Sequence, residues 1–317
     1  MISGTICISH SPLIGSVEVE SETRHRFFGA VGRAQQLVVD LDPDLVVIFH
    51  PDHINGFFYQ LLPPFCVGVA GTSVGDFGTA PGKLNIPEDA ARELADHLIA
   101  SGIDAALSYN MQVDHGAVQP LEMLLPPGES KSVIPIFVNA AAAPRPTFQR
   151  VEALGRAVGT WALQQKRRIL IIGSGGLSHD PPVPSLESAS LAVRQRLIHG
   201  GELDHSQRYA RQARVIEEGR KMAAGSSELL ALNAEWDEML LAAFSDGRID
   251  VLHAASDSDI TNLGGRGGHE VRTWVAALAA QSSAGPYLAT KEFYAAIPEW
   301  IAGMGLLTAT TRPTAVA

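Results

Sequence analysis

Up to Gly175 the chain alternates short β-branched runs with longer stretches of helical spacing, which points to a sheet layered with helices. The spacing predicts strands at about 4–9, 44–50, 103–109, 133–138 and 168–173, with helices near 21–40, 88–101 and 147–165. Pro87 followed by Glu88 and Asp89 reads as a helix start, because proline in the first turn forfeits no bond and acids suit the positive end of the dipole. Residues 186–283 are Ala-, Leu- and Arg-rich at helical spacing. The run GGRGG at Gly264–Gly268 interrupts them, and a further helix starts near His269. No internal repeat or low-complexity linker is visible. The expectation is an α/β protein, a central mixed sheet flanked by helices with a helical C-terminal portion. It forms a single domain over residues 1–310, and the chain frays after Leu307, with 311–317 as a loose tail.

With 317 residues, 46% hydrophobic and 18% charged, the chain can bury a large core. Acidic residues outnumber basic ones 34 to 24, and no segment concentrates Lys and Arg, so nucleic acid is not an expected partner. The longest apolar runs, LVVIFH from Leu45 and RILIIG from Arg168, have strand length, short of the roughly 20 residues that cross a bilayer. No membrane span is expected. The start, MISGTICISHSP, lacks the basic and apolar regions of an export signal and reads as the first strand of a cytoplasmic protein. Cys7 and Cys66 sit in apolar surroundings that suit buried, reduced thiols rather than a disulfide or zinc ribbon.

Four of the eleven histidines share one topological address. His10 follows the strand GTICIS, His53 follows LVVIFHPD, His115 lies shortly after ALSYN, and His179 follows LIIGSGGLS. Loops beyond the carboxyl ends of strands in an open α/β sheet converge on one crevice, so these four can meet. Any one of them alone reads as a loop residue or cap; four independent loops choosing the same residue points to one site. His50 competes with His53, with Asp52 and Asn55 as further polar neighbours, and spacing does not choose between them. His25, His97, His199, His205, His253 and His269 fall mostly in helical stretches and read as surface or packing residues.

Two neutral imidazoles and one carboxylate can hold Fe(II) on one face and leave positions open for substrate and O2. Further histidines can then act as acid and base near neutral pH. Glu270 and Asp114 are candidates for the carboxylate by position; the plain alternative for Glu270 is an acid favoured in a helix's first turn.

Six fragments carry a resemblance. SHSPLIG from Ser9, PDHINGFFY from Pro51, MQVDHGAVQPLE from Met111, GSGGLSHDPPVP from Gly173, GHEVRTWVAA from Gly268 and IPEWIAG from Ile297 occur in one order that resembles the class III extradiol dioxygenases. The likeness runs from Ser9 to Gly303. It is weakest between about Ser185 and Leu263. It implies that His10, His53 and Glu270 bind Fe(II), which decides for His53 over His50, and that His115 is the proton donor and His179 the proton acceptor. It also implies a small-molecule catechol with a carboxyl-bearing side chain as substrate, O2 as co-substrate, and a homo-oligomer. Arg266 and Arg272 lie near Glu270 in sequence and could serve that carboxylate or the surface.

Other readings are weaker. A hydrolase elbow around Ser174 needs glycine where Ile172 stands. A phosphate loop at GSGG needs a helix to begin where LSHDPP follows. Cleavage of a different catechol or an aminophenol, zinc in place of iron, and a non-catalytic binding protein on the same scaffold remain as alternatives.

Overall fold

The computed structural model describes residues 1–126, 131–201 and 205–312. In chain order the first half contains β1 (Ile2–Ile8), α1 (Ser21–Leu41), β2 (Leu45–His50), β3 (Phe65–Gly68), β4 (Gly71–Ser73), β5 (Gly82–Lys83), α2 (Glu88–Ala100), β6 (Ala106–Ser108), β7 (Met111–Val113) and α3 (His115–Leu124). The second half contains β8 (Val133–Val138), α4 (Phe148–Gln164), β9 (Ile169–Ser174), α5 (Leu191–His199), α6 (His205–Ala223), α7 (Ala234–Ser245), α8 (Asp257–Gly264), α9 (Val271–Ser282), β10 (Tyr287–Ile297) and β11 (Ala302–Thr311).

Eight strands form one mixed sheet in the order β10-β11-β1-β9-β2-β8-β3-β6, and β5-β4-β7 form a small second sheet. Strands β1, β9, β2 and β8 are parallel neighbours, while β11 and β3 flank them antiparallel. The parallel strands are buried at nearly every position and mostly apolar because helices cover both faces of the sheet. Leu45, Val47 and Phe49 of β2 pack with α2, α4, α7 and α9. Val46 and Ile48 point to the other layer, with α1 and the end of α3.

Helix α9 is buried along nearly its whole length, and it lies against α4 and the sheet. The approach is close because α4 offers glycine one turn apart. A Cβ at Gly155 would sit 2.2 Å from the Ala276 carbonyl oxygen, and one at Gly159 would sit 2.5 Å from that of Ala280. This contact sets where α9 begins, and therefore where Glu270 sits.

The expected α/β fold, the mixed sheet and the helical stretch over 186–283 are present. The C-terminus differs from expectation. The chain does not fray after Leu307: β11 runs to Thr311, and β10 and β11 close the sheet as an antiparallel pair. These strands escape a sequence reading because β10 alternates irregularly between buried and exposed and β11 mixes Ala, Gly, Met and Leu with Thr and has no Val or Ile. What specifies them is pairing with β1. The predicted tail residues 313–317 lie outside the described residues. Helix α3 was also unexpected, since it carries Pro120.

Gly155→Ala is expected to destabilise by about 1–3 kcal/mol through overpacking. In Gly32→Ala on α1, where the added carbon meets nothing, the better helix former should add about 0.5–1 kcal/mol. Urea midpoints at constant slope read both, and equal signs for the two would refute the close-packing account.

Candidate metal centre

Because β1, β9 and β2 are adjacent and parallel, their carboxyl ends open side by side. From those ends the chain runs to His10, to His179 and to His53 respectively. His115 arrives from the small sheet as the first residue of α3, behind the N-cap Asp114. Glu270 closes a short 3-10 turn, Gly268–Glu270, directly before α9. The structure thus gathers His10, His53, His115, His179 and Glu270 into one cluster, with Glu270 only 5% exposed.

Nε2 of His53 and of His179 each lie 3.3 Å from Oε1 of Glu270, and Nε2 of His10 lies 3.8 Å from Oε2. The ligating atoms of His10, His53 and His115 fall within 4.8 Å of one another. The His53 and His115 rings stack at 4.3 Å between centroids. Gly176 N–H donates to Oε2 of Glu270 at 2.8 Å, the only backbone donor to this carboxylate among the described residues.

Hydrogen bonding fixes which nitrogen of each ring is bare. Nδ1 of His53 faces Oδ2 of Asp114 at 3.0 Å, and Nδ1 of His115 faces Oδ2 of Asp76 at 2.6 Å. A carboxylate accepts, so both Nδ1 atoms carry the proton. Nδ1 of His179 lies 3.0 Å from the Leu177 carbonyl and must donate as well. Nδ1 of His10 meets the Ser174 hydroxyl at 3.0 Å. That hydroxyl gives its one proton to the carbonyl of Gly116, so it accepts from His10. The Gly116 carbonyl is free because its helical partner would be residue 120, a proline without an N–H. All four rings therefore turn Nε2 toward the centre, as metal-binding histidines do when an outer partner holds the other nitrogen.

The charges agree. Burial pulls the His10 pKa down to about 3, with His53 and His115 adding to it against Glu270, so this ring is neutral. Burial also disfavours a charged His53, but the Asp114 and Glu270 carboxylates outweigh it and raise its pKa well above the usual value. His179 is raised in the same way, by Glu270 against burial. Burial would raise Glu270, yet the imidazoles, His179 foremost, hold it well below the carboxylate range. One carboxylate thus faces three ring nitrogens, and it favours the charged form of two of those rings. A divalent cation in the same place satisfies Glu270 and the bare nitrogens together. The separations of 3.3 and 3.8 Å suit neighbouring ligands on a shared ion, and Nε2 of His115 is buried with no hydrogen-bond partner among the described residues. The residues fit a metal.

A second close group, Asp76, Asp114 and His115, is less suited. Asp114 already accepts from His53 N–H and Nδ1, from Asn55 Nδ2 and from Gly116 N–H, and Asp76 accepts twice from His115. These carboxylates aim the rings.

Spacing left His50 and His53 open, and the resemblance chose His53. His50 lies outside the cluster, donating to the Pro51 carbonyl beside Phe137. Asp114, one of two candidate carboxylates, stands behind His53. Arg272 is fully buried against Phe148 and Asp257, and Arg266 pairs with Asp180. Ser174, which a hydrolase reading would make a nucleophile, is buried and spent on His10. Asp76, Ser174 and Asp237 were missed as supports. Asp237 accepts from Ser178 N–H, the Ser178 hydroxyl and the Tyr294 hydroxyl, and so holds the loop before His179 to β10. One available signal was glycine. A Cβ at Gly267 would lie 2.0 Å from Nε2 of His179 and one at Gly176 2.5 Å from the same ring, so GSGG and GGRGG form the two walls of its seat.

Known proteins give the class. Residues 4–305 match the family described as the catalytic LigB subunit of aromatic ring-opening dioxygenase. Three similar relatives all carry the name "2,3-dihydroxyphenylpropionate/2,3-dihydroxicinnamic acid 1,2-dioxygenase". The protein from Mycolicibacterium paratuberculosis is 47% identical over 96% of this chain and 97% of its own. Those from Klebsiella pneumoniae and Escherichia coli are 44% and 45% identical, each over 96% of this chain and 98% of theirs. The chain belongs to the LigB family of aromatic ring-opening dioxygenases, and is an oxidoreductase of that kind. Among the described residues, no helix is long and apolar enough to cross a membrane.

Asp114→Ala strips four donors of their acceptor beside a cationic ring and is expected to cost about 3–5 kcal/mol at pH 7. The exposed Asp96→Ala should stay within about 0.5 kcal/mol of wild type. Denaturant unfolding that found the two equal would remove Asp114 from its supporting role.

Proposed function

We propose that this protein opens 3-substituted catechols outside the diol with O2, taking 3-(2,3-dihydroxyphenyl)propionate and 2,3-dihydroxycinnamate, and that His10, His53 and Glu270 hold one Fe(II). The observation that carries the reading is the convergence of bare Nε2 atoms of His10 and His53 on one buried carboxylate. The names of relatives 44–47% identical over 96% of the chain support the substrates. Fe(II) on two histidines and one carboxylate supplies open positions for diol and O2 and a route for electrons from ring to oxygen.

The chain's own groups do the rest. His179, anchored through Nδ1–H to the Leu177 carbonyl, presents Nε2 as the acceptor of a phenolic proton. His115, held by Asp76 and stacked on His53, points its unpartnered Nε2 into the same space and is the proton donor. Phe77 packs edge-on to the His115 ring and limits water there. A cytoplasmic homo-oligomer belongs to the same proposal and rests on the resemblance alone.

A second ligand set has its own support, since His115 lies as close to His10 and His53 as a ligand would. His115→Ala separates the two. As a proton donor it should keep stoichiometric iron and lose turnover by roughly 100-fold or more; lost iron would make it a ligand. His53→Ala should lose iron and activity together, and retained iron would point back to His50. Because Asp114 and Glu270 hold the His53 pKa well above its usual value in the metal-free protein, loading with Fe(II) should release protons, and affinity should fall as pH falls. Anaerobic calorimetry in buffers of different ionisation enthalpy reads this; a buffer-independent heat would exclude His53 as the titrating ligand.

A further inference from the structure

Helix α6 lays a row of arginines over the centre. Nη1 of Arg208 donates to the Val74 carbonyl at 2.9 Å, on the loop leading to Asp76. Arg211, one turn on, donates to Oδ1 of Asn55 and to the carbonyl of His53, each at 2.8 Å. Arg214 follows on the exposed side. Arg196 approaches from the last turn of α5, which Tyr59 N–H and Gln60 N–H tie to the loop after His53 at 3.0 and 2.8 Å. Burial, with the charges of Arg211 and Arg214, lowers the Arg196 pKa.

None of the four forms an ion pair with Asp or Glu among the described residues. Like charges gathered with no acidic partner among the described residues favour an anion. A ring held at the centre by its diol carries a side chain on the neighbouring carbon, ending several ångström away. Arg211 stands at the backbone of His53 and Arg196 on the helix tied to the same loop, and guanidinium suits a carboxylate geometrically.

Building on the proposed ring-opening activity, we infer that Arg196 and Arg211 bind the side-chain carboxylate of the substrate and set the preference for acidic catechols, with Arg208 holding α6 over the site.

The test pairs the iron-loaded enzyme with the metal-free protein. Steady-state kcat/KM is compared for 3-(2,3-dihydroxyphenyl)propionate and its neutral counterpart 3-propylcatechol, in wild type, Arg196→Gln and Arg211→Gln. The acid-over-neutral ratio should fall about 10-fold or more in each variant, the scale of one lost charged hydrogen bond. Arg211 also braces the His53 loop, so its change can lower both rates, but the ratio cancels a shared loss. Arg196 makes no contact with that loop's metal-side residues and keeps the test open should Arg211→Gln misfold. In parallel, calorimetry on the metal-free proteins compares 3-phenylpropanoate with 3-phenylpropanamide, where wild type should favour the acid and the variants should not. An unchanged ratio and an unchanged acid preference would overturn the assignment. Wild type that opens neither catechol would defeat the ring-opening reading instead, and the phenylpropanoate affinities would then decide the arginines alone.

Discussion

A carboxylate with almost no access to water needs cations or donors around it, and Glu270 has three imidazole nitrogens and a single backbone N–H. Much of the architecture can be understood as the means of keeping that carboxylate in place. Helix α9 is buried because it must carry Glu270 into the interior. The glycines of α4 let α9 come close enough for its first turn to reach the ends of β9 and β1. Gly175 continues the same arrangement, since a Cβ there would press on the Glu270 backbone and side chain.

Around this charge the outer partners act through tautomers. Asp114, Asp76, the Leu177 carbonyl and Ser174 each occupy one Nδ1, and each thereby exposes one Nε2. The chain from Pro120 is the least expected of these. A proline that weakens α3 frees the Gly116 carbonyl, which takes the proton of Ser174, which accepts from His10. A local cost in helix hydrogen bonding becomes orientation of a ring some 110 residues away in sequence. The arginines of α5 and α6 extend the logic outward: a negative group in the interior, a proton-carrying layer around it, and positive charge beside the His53 loop.

Much of this was legible from the residues. The parallel strands were visible because burial on both faces demands unbroken apolar runs, and the four histidines because strand ends in an open sheet share an edge. Strands β10 and β11 were not, since their small and mixed residues acquire strand geometry from pairing with β1. The supporting residues Asp76, Ser174 and Asp237 were hidden because a hydrogen-bond partner leaves no periodic mark in sequence. Arg196 and Arg211 were hidden for a different reason. They lie in the stretch where the family fragments are least recognisable, and nothing local distinguishes an arginine over a crevice from one in solvent.

The residue order by itself determined the α/β class, the strand-end positions of His10, His53, His115 and His179, and the ring-opening family through six fragments spread along the chain. Only the tertiary structure decided which outer partner holds each Nδ1, that Asp114 stands behind His53 while Glu270 faces three Nε2 atoms, and which arginines gather beside the His53 loop. The division follows from range. Periodicity and motif order are local properties of a chain, whereas ring orientation and charge balance depend on contacts between segments that only folding brings together.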